Sequence, residues 1–109
     1  MYNPETAMRK KSNDILLKLK GIGIKNVYID PPETLIMKYP CCRVRVQGGR
    51  ARYADNGTHI FTPSWELIYI SYEPDDQKMM DIMQAFSRIT FQRHYTADGL
   101  HHYSYTLYY

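Results

Sequence analysis

His94, His101 and His102 are the residues of this 109-residue chain whose chemistry first asks for an explanation, because clustered imidazoles are a common beginning of a metal site. A functional centre wants about three or four converging ligands. If the last segment forms the hairpin argued below, His94 and His102 share one face and His101 lies on the other. Two imidazoles without a nearby carboxylate make a poor site, so no metal and no cofactor is expected. Ser64, Ser71, Ser87, Cys41 and Cys42 are the available nucleophiles, and none has an elbow motif or a paired base around it. Gly21-Ile22-Gly23 lacks the rest of both standard phosphate-binding patterns. No catalytic residue is therefore expected.

The second candidate constellation is cationic. Arg43, Arg45, Arg50 and Arg52 occupy alternate positions of two extended segments and are expected to form one stripe on adjacent strands. Roughly four phosphate contacts per chain would give salt-sensitive binding to DNA, which makes a nucleic-acid-binding regulator one function class to weigh. Against it, no aromatic residues are interleaved with the arginines as stacking platforms require, and no recognition helix is apparent. A solvated or subunit-bridging face is the favoured reading.

These residues must be positioned by the elements around Thr58 to Tyr72, the longest stretch of strand-forming residues. After Pro63, Trp65, Leu67 and Tyr69 alternate with Ile68, Ile70 and Tyr72, so both faces are apolar. That pattern predicts a central strand covered on both sides, by helices or by a neighbouring subunit. Pro63 has no amide hydrogen, so a bend or a change of partner is expected there, with Thr58 to Thr62 as an arm and Ser64 to Tyr72 as the core strand.

Upstream, Asn3 and Pro4 open a helix that runs to about Lys20 and stops at Gly21. Met8, Ile15, Leu19 and Ile22 form its apolar stripe with Leu16 beside it, and Arg9, Lys10, Lys11, Lys18 and Lys20 form a basic face. Asn26 to Ile29 reads as a short strand ended by Asp30, Pro31 and Pro32. After a loop to Pro40, Cys42, Val44 and Val46 alternate with Arg43, Arg45 and Gln47, and Gly48-Gly49 allow a turn or bulge. Asn56-Gly57 is a strong hairpin signal, and a two-residue turn there sets Tyr53 opposite Ile60 and Ala51 opposite Thr62. The resulting arm has few residues for a core of its own, and an isolated two-stranded ribbon is marginal in water.

Downstream, Pro74, Asp75 and Asp76 start a second helix, whose Met79, Ile82, Met83 and Phe86 face the sheet. For the final hairpin, a two-residue Asp98-Gly99 loop would oppose Phe91 to Thr106 and Tyr95 to His102, mixing apolar with polar. A three-residue loop Ala97-Asp98-Gly99 instead opposes Ile89 to Leu107, Phe91 to Tyr105 and Tyr95 to His101, and is the preferred register. The expectation is one domain over residues 1–109 of α+β class: a single mixed, mostly antiparallel sheet with two helices packed on it and a projecting β-hairpin arm.

The formal net charge of +3 is too small to mark a protein devoted to nucleic acid, and a 44% apolar content suffices for one core. No apolar run approaches the ~20 residues that cross a bilayer, so no membrane partner is expected and the chain reads as cytosolic when made. Adjacent Cys41 and Cys42 are poorly placed to bond to each other or to share a metal, which suits a reduced compartment. Eleven tyrosines are the anomaly of the composition, and they suit half-exposed sheet faces and contacts between proteins.

Taken in order, the basic first helix, DPPET, KYPCCRV, GGRARYADNGTH, a long aromatic strand ending YEPDD, a short helix and FQRHYTADGLHHYSYTLYY resemble a family of small tailed-phage and prophage proteins. Its members are called tail completion, tail terminator or minor capsid proteins. The resemblance implies a sheet flanked by helices, assembled as a six-fold homo-oligomeric ring that caps the tail tube, ends its polymerisation and docks the head. It implies as partners the major tail tube protein and a head-completion or connector protein, a place in the virion after assembly in the host cytoplasm, and DNA only as passing cargo. A head-completion or connector protein of the neck is the alternative station. A closed ring needs a head-to-tail contact, and Arg43, Arg45, Arg50, Arg52, Tyr53 and Ile60 are the residues expected on one side of it.

Overall fold

The computed structural model describes residues 4–53 and 59–109, with the side chains of residues 4–6, 50–53 and 59–61 excepted. Helix α1 (Pro4–Gly21) leads into β1 (Asn26–Ile29), β2 (Cys41–Tyr53), β3 (His59–Ser71), helix α2 (Asp76–Ala85), β4 (Ile89–Ala97) and β5 (Leu100–Tyr108). The strands form one sheet in the order β1-β2-β3-β5-β4. Only β1 and β2 are parallel, and every other neighbouring pair is antiparallel. The fold is thus α+β, a mixed and mostly antiparallel sheet with both helices packed on it.

Both helices lie on one face. Ile15, Leu19 and Ile24 from the α1 side and Ile82 and Phe86 from the α2 side meet Cys42, Val44, Trp65, Leu67, Tyr69, Tyr103, Tyr105 and Leu107 in the main core. Leu17, on the opposite side of α1, is 65% exposed, as a stripe at helical spacing requires. The helix ends at Gly21, as expected, and its cap is completed two residues further on. Gly23 (φ 97) takes the left-handed position, Ile24 N–H donates to Leu19 O at 3.2 Å and Gly23 N–H to Lys20 O at 3.1 Å. This is the paired capping arrangement that needs a residue free of a Cβ penalty. Lys78 of α2 donates to Ile22 O at 2.6 Å, so the second helix also caps the first.

The other face of β3 is covered differently from either expected way. Cys41, Ile68 and Ile70 form a small second cluster closed by Tyr28, Met37, Tyr39 and Leu100. The chain's own segment between β1 and β2 folds across that face, held by Tyr28 Oη, which accepts from Lys38 N–H at 2.9 Å. No helix or second copy is needed there.

Strand β3 is continuous through Pro63 instead of dividing into two, and the expected change of partner occurs at that residue. Below it β3 pairs with β2 alone, and from Ser64 onward also with β5. Pro63 O accepts from Tyr109 N–H at 3.2 Å, so the edge carrying its missing donor faces the last residue of the β5 side, where no further ladder bond is due. The bulge that the glycine pair allows lies between Val46 and Gly48. Beyond it Tyr53 pairs with His59, Arg52 with Ile60 and Arg50 with Thr62, one residue out of the register that a two-residue Asn56-Gly57 turn would set. That turn itself lies outside the described residues.

The β4–β5 hairpin combines both registers weighed from the sequence. At its base Ile89 opposes Leu107 and Phe91 opposes Tyr105, as preferred; at its tip Tyr95 opposes His102 and Ala97 opposes Leu100, which belongs to the two-residue loop. A bulge between Phe91 and Arg93 reconciles them. Asp98 (φ 54) and Gly99 (φ 74) both sit in the left-handed region, the twist-matched turn for a tight hairpin. The bulge lets the base keep its aromatic face on the core while the tip keeps its favoured turn.

Candidate assembly surface

Arg43 and Arg45 project from the face of β2 opposite the helices. They line a cleft of ≈ 240 Å³ together with Pro31, Pro32, Glu33, Leu35 and Met37 of the covering segment. Arg43 Nη2 lies 3.6 Å from Glu66 Oε1 on β3, a long, partly exposed pair that contributes little, on the order of 0–1 kcal/mol. Arg45 Nη2 donates to Pro31 O at 3.3 Å. The Nε atoms of both arginines are buried without a hydrogen-bond partner among the described residues. An unmet buried donor costs about 1–3 kcal/mol.

In the segment covering the cleft stand apolar side chains that the core does not claim: Ile36 is 90% exposed and Leu35 41%. An apolar rim around charged, under-satisfied donors is the composition of a contact surface. From the sequence this segment reads as a loop. The available signal was Leu35-Ile36-Met37, three apolar residues in a row between prolines, with no hydrophobic period to place them.

Of the six residues expected to form one side of a ring contact, Arg43 and Arg45 are the two whose side chains are described. The backbone places Arg50, Arg52, Tyr53 and Ile60 on the β2–β3 ribbon. All four arginines belong to the single strand β2, not to adjacent strands. Beyond Val44 on β2, and before Ser64 on β3, neither strand has a third partner strand among the described residues.

Three of the tyrosines have a different use from the one expected, whereas Tyr28, Tyr95 and Tyr108 are half-buried on strands as expected. Tyr69, Tyr103 and Tyr105 are buried, and their hydroxyls converge on the start of α2. Tyr69 Oη donates to Asp75 Oδ2 at 3.3 Å, Tyr103 Oη accepts from Asp75 N–H at 2.9 Å, and Tyr105 Oη donates to Met79 O at 3.1 Å. Asp75 also caps the helix by accepting from Lys78 N–H at 2.9 Å. Burial, then the Asp75 carboxylate, pushes the Tyr69 hydroxyl well above its usual range, and burial does the same to Tyr105. These rings are internal struts and not contact surface. Tyr72, 64% exposed, fits the original expectation better.

Cys41 and Cys42 are free and buried. Burial pushes the Cys41 thiol up to about 11, against the opposing pull of Arg43, and raises Cys42 further above its ordinary value. Thiols held protonated are poor nucleophiles. The histidines pair otherwise than the sequence suggested: the bulge in β4 brings His94 to His101, with Nε2 and Nδ1 2.9 Å apart, and leaves His102 on the other face stacked on Tyr95. Among the described residues no three metal-ligating side chains converge. No helix there is long and apolar enough to cross a membrane. No protein-family model and no curated protein sequence matches this chain, so the tail-protein resemblance rests on the motifs that carry it.

Proposed function

We propose that this chain is a structural virion protein, the subunit of a ring that caps a phage tail tube, ends its polymerisation and presents the surface to which the head docks. The observation that carries the reading is the β2–β3 ribbon, which leaves the sheet where its neighbours β1 and β5 stop. An unpaired two-stranded ribbon is marginal in water and its open edges invite another chain. The arginine cleft adjoins the root of the same ribbon and extends that patch. A head-to-tail contact sets such a patch against a different one on the next copy, and a closing rotation turns such contacts into a ring.

In this reading Arg43, Arg45, Arg50, Arg52, Tyr53 and Ile60 lie on one side of the subunit contact. The major tail tube protein and a connector protein bind the two ends of the ring, and DNA passes through the hole. Particles assembled without the protein should carry tails of irregular or excessive length under the electron microscope. Full heads that leak DNA above normal tails would overturn the tail station in favour of the connector. Tails and heads both indistinguishable from wild type would remove the structural reading altogether.

A further inference from the structure

A head-to-tail contact between copies requires a counterpart to the arginine cleft elsewhere on the same chain. The chemistry of the cleft selects carboxylates. Its two guanidiniums make one hydrogen bond between them, Arg45 Nη2 to Pro31 O at 3.3 Å, and one loose ion pair, Arg43 Nη2 to Glu66 Oε1 at 3.6 Å. Each guanidinium carries about five donors, so most are uncommitted to the described residues. A planar carboxylate meets such a fork through two parallel bonds. Glu33 lines the same cleft, and its charge opposes a doubly charged phosphate more than a singly charged carboxylate.

Few acidic side chains can fill that role. Among the described residues, Asp14 accepts from Tyr109, Glu66 faces Arg43, Asp75 is held by Tyr69 and the Lys78 amide, and Asp81 by Gln77 and Lys78. Asp30 and Glu33 belong to the segment that covers the cleft itself, and Asp98 stands alone in the β4–β5 turn. Glu73 and Asp76 remain, both exposed on the turn from β3 into α2 and both without an ion-pair partner among the described residues. Asp75 already caps α2, which leaves Asp76 to face outward. A chain cannot fill its own cleft with this turn. Arg43 pairs with Ile68, which precedes Glu73 by about 16 Å of extended strand, and the turn leads to the helix face while the cleft opens on the other. We infer that Glu73 and Asp76 of one copy dock on Arg43 and Arg45 of the next, an assignment that rests on the ring reading and supplies the second side of its contact. Exposed Tyr72 beside the acidic turn and exposed Leu35 and Ile36 beside the cleft give the ionic contact apolar edges.

The test is self-association of the purified full-length chain, followed by sedimentation velocity and native mass spectrometry over a range of concentrations and salt. The wild-type chain should associate as its concentration rises and do so less in high salt. A cleft variant, Arg43→Glu with Arg45→Glu, and a turn variant, Glu73→Arg with Asp76→Arg, should each stay monomeric at a wild-type thermal midpoint. Mixed together they should form a one-to-one pair and nothing larger, because only the acidic turn of the first and the arginine cleft of the second are intact. All four changes in one chain should restore association. The milder Arg45→Gln and Asp76→Asn, which keep the fold if a reversal does not, should each weaken it at least about fivefold. A wild-type chain that is monomeric at every concentration, a variant that associates as well as wild type, or a mixture that fails to pair would overturn the assignment. Tail length in particles is read separately: a chain that ends tails normally with these charges reversed keeps its tail role and loses this contact.

Discussion

At the scale of single residues, Asp75 does the work of several. Its side chain caps α2 and accepts from Tyr69, while its amide satisfies Tyr103. Asp75→Ala removes the cap and strands the Tyr69 hydroxyl, a loss of about 1–3 kcal/mol. Tyr69→Phe alone should cost about 0.5–1 kcal/mol, because the bond is long. In the Asp75→Ala background the same change should cost less, leaving the double variant about 0.5–1 kcal/mol more stable than the sum of singles implies. Chemical denaturation of the four proteins checks the coupling. None of this was legible beforehand: the abundance of tyrosine was plain, but the same count serves a wet interface or a strutted core. Only the third dimension separates them.

The buried thiols and phenols set a pH dependence whose sign can be worked out. Their folded-state pKa values lie above the unfolded ones, so between those values the unfolded chain has released protons that the folded chain keeps. Stability is therefore fully present below about pH 8.5–9 and falls as pH rises through the range where Cys41 titrates, up to about 11 and beyond for the others. Denaturation midpoints measured at pH 8 and pH 10.5 should show the loss, and Cys42→Ala should shrink the difference between them.

At the scale of elements, the helices were the easier part to read. The Ile15 and Leu19 stripe and the Met79, Ile82, Met83 and Phe86 face all meet the main core, because a 3.6-residue period survives without interruption. The final hairpin shows the limit of patterning. A strand's alternation assumes an unbroken period of two, and one bulge near Gln92 reverses it midway, so every choice of a single register had to be wrong at one end. The tip is held by Asp98 and Gly99 at positive φ. Asp98→Asn should be neutral within error, whereas Asp98→Val, branched at Cβ, should cost about 1–2 kcal/mol by denaturant titration. The same displacement hid the His94 and His101 pairing, since the sequence register put those rings on opposite faces.

At the scale of the whole molecule, the radius of gyration is 15.1 Å and the principal extents are 51 × 27 × 24 Å. A compact chain of this length would have a radius near 13 Å, so the molecule is elongated. Of the stretch between Gln47 and Ser64, no residue whose side chain is described belongs to either core cluster, and Pro63 is buried at its end. Replacing Arg50 to Thr62 by an Asn-Gly turn, which keeps the Gly49 and Pro63 pair, should leave the thermal midpoint within a few degrees of wild type, a shift corresponding to about 1 kcal/mol or less. Under the proposed tail role, the shortened protein should fail to restore normal tails to particles lacking the natural one. A collapse of the midpoint would mean that the ribbon holds the subunit together. Here the sequence was informative for a negative reason: a hairpin signal flanked by glycines and arginines has too little apolar surface to stay home.

Trp65, the lone tryptophan of the chain, sits at the root of that ribbon, 3% exposed, opposite Val46 on one side and Leu107 on the other. The molecule thus carries its own optical gauge at the junction where the core ends and the free strands begin. Its emission should be blue in the native state and shift to the red on denaturation. Any partner covering the half-exposed Val46 would alter quenching at that one position, so the proposed assembly could be followed by light alone, without a label.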